Sequence, residues 1–388
     1  MNRTYLTAES VCAGHPDKLC DYIADSILDA CLMKDRSSRV ACEVMATRGR
    51  IIVSGEITCC KSVDIRMVVR EALRNIGYNP YRYLIYVYVH KQSSDIAGGV
   101  DKALETRNGD NTSYSTLGAG DQGTVYGYAT DETREKLPLP LVLSHRICKR
   151  LDECRKDNII KGIRPDGKAQ VSVEYRDGEP YHIKTIVVSV QHAKDKDLDV
   201  LKNEIISHVL MPCFESFPFD NDTEILVNPS GRFVKGGPGA DTGLTGRKLM
   251  VDTYGGLAAH GGGAFSGKDA TKVDRSGAYM ARYIAKNIVW SGLAKKCEVA
   301  ISYAIGKADP VAVAVNTFGT GKISDDNLCE VIKQVFCMRP AAIIEKLRLR
   351  TPRYADTSAY GHFNSVLFPW EDINKYDELR KAAEQYAD

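Results

Sequence analysis

No two cysteines of this chain stand three residues apart, although its 388 residues hold twelve, at 12, 20, 31, 42, 59, 60, 148, 154, 213, 297, 329 and 337. The absence of any C-x-x-C pair argues against a zinc knuckle or ribbon. Most of these cysteines fall in apolar-periodic stretches, where a free thiol serves as a small buried hydrophobe, as expected of a reduced cytoplasmic chain. Excess charge is missing too. The 52 Lys+Arg against 50 Asp+Glu leave +2, so nothing global steers the chain toward nucleic acid or an acidic membrane. The N-terminus MNRTYLTAESVCAGHPDK has no apolar core, which argues against a secretory signal. The most apolar short run covers residues 83–89, far too short to span a bilayer. The expectation is a soluble cytoplasmic protein, without nucleic-acid or membrane partners and long enough for two or three domains.

What the sequence does contain is a repeated plan. Leu19, Ile23, Ile27, Ala30 and Cys31 recur at helical spacing over 19–34, and strands are expected at 40–47 and 50–58 around Arg48-Gly49. A second helix over 63–76 closes on Gly77. The order returns with a helix at 141–157, strands at 170–175 and 181–191 around Asp177-Gly178, and a helix at 197–210. A third copy has a helix from 273 to Gly292, strands at 298–305 and 311–317, and a helix at 325–337. The reading is three α+β domains, each a mainly antiparallel sheet covered by helices on one face. Val299, Ile301, Tyr303 and Ile305 alternate with small Ala300, Ser302 and Ala304. The second face therefore either meets another sheet or faces water. Residues 93–123 break the pattern with Gly98, Gly99, Asn108, Gly109, Asp110, Asn111, Ser113 and Ser115, and read as a lid or a connector.

Five segments are candidates for chemistry. Gly118 to Gly123 spells G-x-G-x-x-G, but a polar loop precedes it and a strand-like stretch follows, so the dinucleotide reading fails on context. Asp121 there is a ligand contact or a turn residue. Gly262 to Lys268 spells G-x-x-x-x-G-K, yet Asp269 stands where a P-loop needs a hydroxyl for magnesium. Glycines around one lysine still suit a polyphosphate cradle, ahead of a helix N-terminus. The glycine density of 231–248 suggests backbone closely approaching a ligand, with Phe233 to stack on a base, Asp241 to accept from an amine and Arg247 and Lys248 to hold anions, or else a linker. In Gly14-His15-Pro16-Asp17-Lys18, Asp17 reads as an N-cap or a metal ligand, and Asp274 shares that ambiguity at the third repeat. Arg164-Pro165-Asp166-Gly167-Lys168 reads as a turn.

Taken together, these segments resemble the S-adenosylmethionine synthetase (methionine adenosyltransferase) family. GAGDQG at 118–123 and GGGAFSGKD at 261–269 are similar to its two signatures. GHPDK at 14–18, GEIT at 55–58, RPDGKAQV at 164–171, GRFVKGGPGADTGLTGRK at 231–248 and KVDRSGAY at 272–279 follow in the family's order. The resemblance runs from about residue 4 to 370. It implies three α+β domains with pseudo-threefold symmetry, divided here as 1–100, a gating loop and turn at 101–123, 124–230 and 231–388. It also implies homodimers or homotetramers with active sites between subunits.

The implied reaction joins ATP, L-methionine and water to give S-adenosylmethionine, pyrophosphate and phosphate. By the family motifs, His15, Lys168, Arg247, Lys248 and Lys268 are the catalytic set along the triphosphate. Asp166, Arg232, Phe233, Asp241 and Ala264 complete the ATP contacts, with Phe233 stacking on adenine. Glu56, Gln92, Asp121, Asp241 and Lys272 are implied methionine contacts. Asp17 and Asp274 are implied ligands of two Mg²⁺ ions, and Glu43 of K⁺. Residues 103–117 depart from the family by being longer and more polar than the gate of many bacterial members. Two rivals remain distinguishable. A P-loop ATPase built on 262–269 predicts ADP, and a non-enzymatic sheet-assembly module predicts no binding of ATP or methionine.

Overall fold

Each repeat folds as a lead strand, a long helix, a hairpin and a second helix. A computed structural model of the protein describes residues 2–93, 101–110, 112 and 114–386. The first repeat runs β1 (Arg3–Val11), α1 (Pro16–Lys34), β2 (Arg39–Thr47), β3 (Arg50–Thr58), α2 (Ile65–Ile76) and β4 (Leu84–His90). The second runs β5 (Gly123–Thr130), α3 (Leu139–Lys156), β6 (Ile163–Arg176), β7 (Glu179–His192), α4 (Leu198–Ile205) and β8 (Glu224–Val227). The third has β9 (Gly243–Leu244), α5 (Val273–Ser291), β10 (Lys296–Tyr303), β11 (Ala312–Asn316) and α6 (Asp325–Val335), followed by α7 (Pro340–Lys346) and α8 (Tyr376–Ala383).

The local reasons are those of the sequence. Asp64 caps α2 by accepting from the Met67 N–H, and Gly77 ends it in the left-handed region at φ 108°. Asp177 and Gly178 both have positive φ, 50° and 89°, as a two-residue hairpin with native twist requires. Along α1, Leu19, Ile23, Ile27 and Cys31 are fully buried.

Lead strands do not stay with their own repeat. β1 pairs antiparallel with β6, β5 with β10, and β9 with β2. The described residues therefore form three sheets, β1-β6-β7-β8, β5-β10-β11 and β9-β2-β3-β4. Each repeat lends its first strand to the next, and the third lends back to the first, closing a ring. Among the described residues, six of the eight ladders are antiparallel; β3–β4 and β7–β8 are parallel, each joined through a helical crossover. Two cores result. One is shared by the first and third repeats, from Leu19 and Val53 to Ile284 and Val299, and the other belongs to the second, around Leu143, Val171 and Ile186.

Three sequence expectations shift. The second hairpin is longer, because β6 and β7 continue past the apolar alternation to 163 and 192. Ile305 lies beyond the end of β10 and is exposed rather than on the covered face. Asp17 does not cap α1: His15 is the N-cap, its Nδ1 accepting from the Asp17 N–H at 3.2 Å, with Pro16 at the first helical position.

Of residues 93–123, Gly98, Gly99, Asn111 and Ser113 lie outside the described residues. The described part is tied to the third repeat. Leu104 donates its N–H to Gly306 O, and Glu105 accepts from the N–H groups of Ala308 and Asp309 at 2.8 and 3.1 Å. Arg339 pairs with both Asp309 and Asp110. Among the described residues, no helix is long and apolar enough to cross a membrane.

Candidate active site

The two glycine-rich runs meet at the N-terminal end of α1. Gly246 lies so close to Ala264 that a side chain on it would reach within 2.7 Å of the Ala264 Cβ. Carboxylates hold both runs by their backbone. Asp17 accepts from the Leu244 N–H at 3.0 Å, Asp21 from Gly246 at 2.9 Å, and Asp25 from Gly267 at 2.9 Å. Asp166 accepts from Gly237 at 2.7 Å. Asp17, Asp21, Asp25 and Asp29 recur every four residues and so share one face of α1; Asp29 accepts from Tyr354 and Ala355, both at 2.9 Å.

On the α1 side, the Asp17 Oδ2 lies 2.6 Å from the Lys248 Nζ, and Arg247 approaches its other oxygen at 3.4 Å. Burial works to raise this carboxyl, but the bonds from Lys248 and the Leu244 N–H outweigh it and keep Asp17 below its ordinary value. His15 is buried, and burial, then the charges of Lys248 and Lys168, push it down to about 3. The ring is therefore neutral at pH 7. Its Nδ1 accepts a backbone N–H, so the proton sits on Nε2, ready to donate.

Beneath this group, Lys18 is fully buried between Asp21, at 2.9 Å, and Asp252, and ties α1 to the helical turn Leu249–Asp252 that follows the run. At its margin Phe233 is pinned through its own backbone to His192, and the Arg232 guanidinium donates to Lys194 O.

On the α5 side, Lys268 lies 2.6 Å from Asp274 and Lys272 is bonded to Asp269. Asp269, the residue out of place for a P-loop, has a different task. Its carboxylate accepts from Val40 at 2.7 Å while its N–H donates to Val40 O, fastening the run to β2. Partial removal from water raises the pKa of Glu43, in the same strand, against the pull of Lys268.

Gln92 and Lys272 line one cavity of about 200 Å³ with Gly120 and Thr58. Other expected residues stand apart. Asp121 is exposed and bonds the neighbouring Gln122 N–H, Asp241 is exposed, and Glu56 faces His90 at 3.2 Å.

A metal fits this donor set in one manner. Among the described residues, no three His, Cys, Asp or Glu side chains come together as a cage. Asp17 and Asp274 are single carboxylates facing lysines, which suits Mg²⁺ that takes its remaining ligands from phosphates and water.

The lysine and arginine positions were legible as motif residues. The acid row on α1 and the Asp269 fastening were not, although the four-residue spacing of the acids was a readable signal.

Comparison with known proteins covers nearly the whole chain. Sequence profiles of the S-adenosylmethionine synthetase N-terminal, central and C-terminal domains match residues 3–96, 116–233 and 235–372. Proteins from two strains of Staphylococcus epidermidis, each named S-adenosylmethionine synthase, are 52% identical over 394 residues, covering 99% of this chain and 99% of theirs. A Desulforudis audaxviator protein of the same name is 51% identical over 391 residues, with 98% and 99% covered.

Proposed function

We infer the reaction from membership: the chain belongs to the S-adenosylmethionine synthetase family, and it is a methionine adenosyltransferase. It transfers the adenosyl group of ATP to the sulfur of L-methionine and then hydrolyses the tripolyphosphate to pyrophosphate and phosphate. The observation that carries the mechanism is the gathering of Arg247 and Lys248 on Asp17, next to His15, which the charges of Lys248 and Lys168 help to keep neutral.

The thioether sulfur has no proton to lose, so the displacement at C5′ needs no strong base. The S–C5′ bond forms as the C5′–O bond breaks, and the electron pair leaves with the tripolyphosphate. The barrier lies in aligning the three atoms and in stabilising charge on the leaving group. Lys168, Arg247, Lys248 and Lys268 supply that charge, and the His15 Nε2–H donates to a phosphate oxygen. Asp166, Arg232, Asp241 and Ala264 complete the nucleotide contacts, and Phe233 stacks on the adenine. Asp17 and Asp274 would each hold a Mg²⁺ ion and Glu43 a K⁺ ion. Such cations, when bound, neutralise triphosphate charge that the lysines leave unmatched. Glu56, Gln92, Asp121, Asp241 and Lys272 hold methionine.

The same reading includes a homodimer or homotetramer with sites between subunits, a cytoplasmic location, a gating role for 101–123, and domains at 1–100, 124–230 and 231–388. One incubation with ATP, L-methionine, Mg²⁺ and K⁺ tests the reaction. Methionine-dependent S-adenosylmethionine with equal pyrophosphate and phosphate is expected. ADP in their place would return the reading to a P-loop ATPase.

A further inference from the structure

The cavity lined by Gln92 and Lys272 has a wall made by an ion pair. Arg39, the first residue of β2, places its Nη2 2.6 Å from the Asp101 Oδ1. Both residues line this cavity of about 200 Å³ and also a neighbouring one of about 590 Å³, which carries Arg36, Arg348 and Arg350. The pair is thus the partition between an inner chamber and an arginine-rich outer one.

An α-amino acid needs a cation for its carboxylate, and three line the inner chamber. Lys272 is already matched by Asp269, which is bonded to β2. Lys91 is exposed, so water screens its charge. Arg39 remains. Its side chain is 21% exposed, against 59% for the Asp101 that holds it. A guanidinium fork takes a well-aligned carboxylate through two parallel bonds, whereas Asp101 makes a single bond to Arg39.

We propose that Arg39 holds the α-carboxylate of the amino-acid substrate, and that the Asp101 carboxylate occupies that place until the substrate displaces it. The proposal rests on the reading of this cavity as the methionine subsite. Arg39 then acts as a specificity residue, selecting a free carboxylate, and Asp101 as an internal competitor.

The two residues therefore have opposite signatures in steady-state kinetics of the full-length enzyme. Arg39→Gln raises the KM for L-methionine about tenfold to a hundredfold, the worth of hydrogen bonds to a charged group, and leaves the KM for ATP in place. Arg39→Lys, which keeps the charge and loses the fork, falls between. Asp101→Asn lowers the methionine KM about threefold, the scale of an exposed ion pair removed as competitor. L-Methioninamide, which has no carboxylate, inhibits wild type and Arg39→Gln with the same constant.

A pair that merely braces the fold would shift both variants in one direction and raise the amide's inhibition constant alongside the methionine KM; either result overturns the proposal. Gln92→Ala separates the two layers. If it raises the methionine KM while Arg39→Gln does not, the subsite reading stands and the role of Arg39 is refuted. If neither variant moves it, the cavity is not methionine's, and both fall.

Discussion

Two helices of nineteen residues, α1 and α5, both bury charge, and they use it differently. The face of α1 is a row of carboxylates accepting backbone N–H groups, those of the site's glycine-rich runs at Asp17, Asp21 and Asp25 and that of Tyr354 at Asp29. The buried charge on α5 is positive. Arg282 donates to Glu371 at 2.7 and 2.9 Å and to the carbonyls of Tyr128, Glu135 and Lys136, while Lys286 donates to Glu371 at 2.7 Å. Acids hold loops by their N–H groups and cations hold them by their carbonyls. The consequence is a division of labour: α1 chiefly holds the runs of the site, and α5 ties Glu371 and the segment from Tyr128 to Lys136 to the core. The helices meet where Asp25 takes both arms of Arg275, at 2.8 and 2.7 Å, and where Arg275 also donates to the Lys268 carbonyl.

The largest test of that division is Arg282→Ala. It leaves the buried Glu371 with Lys286 alone and the carbonyls of Tyr128, Glu135 and Lys136 without this donor, and should cost about 4 kcal/mol of stability. Urea unfolding checks it; a change under 1 kcal/mol would remove the stabilising role given to α5.

Next is Lys268→Ala, at the junction. It should keep the fold and lower the rate of S-adenosylmethionine formation about a hundredfold to a thousandfold, because in the proposed mechanism a cation facing the leaving group is removed. Near-wild-type turnover would contradict its place in the mechanism.

A third test uses pH. His145 is buried beside α1, bonded to Ser10 at 2.8 Å, and burial and the Lys18 charge push it from 6.5 to about 3. The unfolded chain therefore binds this proton first. Stability is unaffected above pH 6.5 and falls below it, by about 2 kcal/mol at pH 5 from this group alone. Urea midpoints at pH 7.5 and 5.0 should separate more in the wild type than in His145→Asn; equal separations would refute the assignment.

The smallest test is Asp21→Asn, which keeps an acceptor for the Gly246 N–H and loses the charge facing Lys18. The expected change is a roughly fivefold rise in the KM for ATP, about 1 kcal/mol, with the methionine KM unmoved. A rise in both would mean that α1 supports the site as a whole rather than the run bearing Arg247 and Lys248.

Much of this was open to reading from residues. The helices and hairpins were legible because periods of 3.6 and 2 are local properties. Gly77, Gly292 and Asp177-Gly178 marked their ends for the same reason. The lead strands were not, since β1 finds its partner β6 across more than 150 residues, and β9 is only two residues long. Asp17 was open to reading as a cap or as a metal ligand, since an acid at a helix start is commonly a cap; the imidazole of His15 took the capping task and left the carboxylate for Lys248. Asp21, Asp25 and Asp29 were passed over because they sit among the apolar positions of α1. A buried acid carries no mark in sequence beyond its spacing.

The ring of lent strands governs how the protein is made. During synthesis the first hairpin emerges long before its outer strand, because residues 243–244 follow about two hundred residues later. The second sheet, conversely, holds a strand that left the ribosome first and waited. Only the first repeat is unfinished when its own residues have been made, and sheets with such distant pairings form slowly. The unfinished β2 edge exposes unpaired backbone through most of translation, the condition under which chains join the wrong neighbour. Its cover, Gly243–Leu244, belongs to the run that Asp17 and Asp21 grasp, so the last stitch of the first sheet and the seating of Arg247 and Lys248 are a single late event.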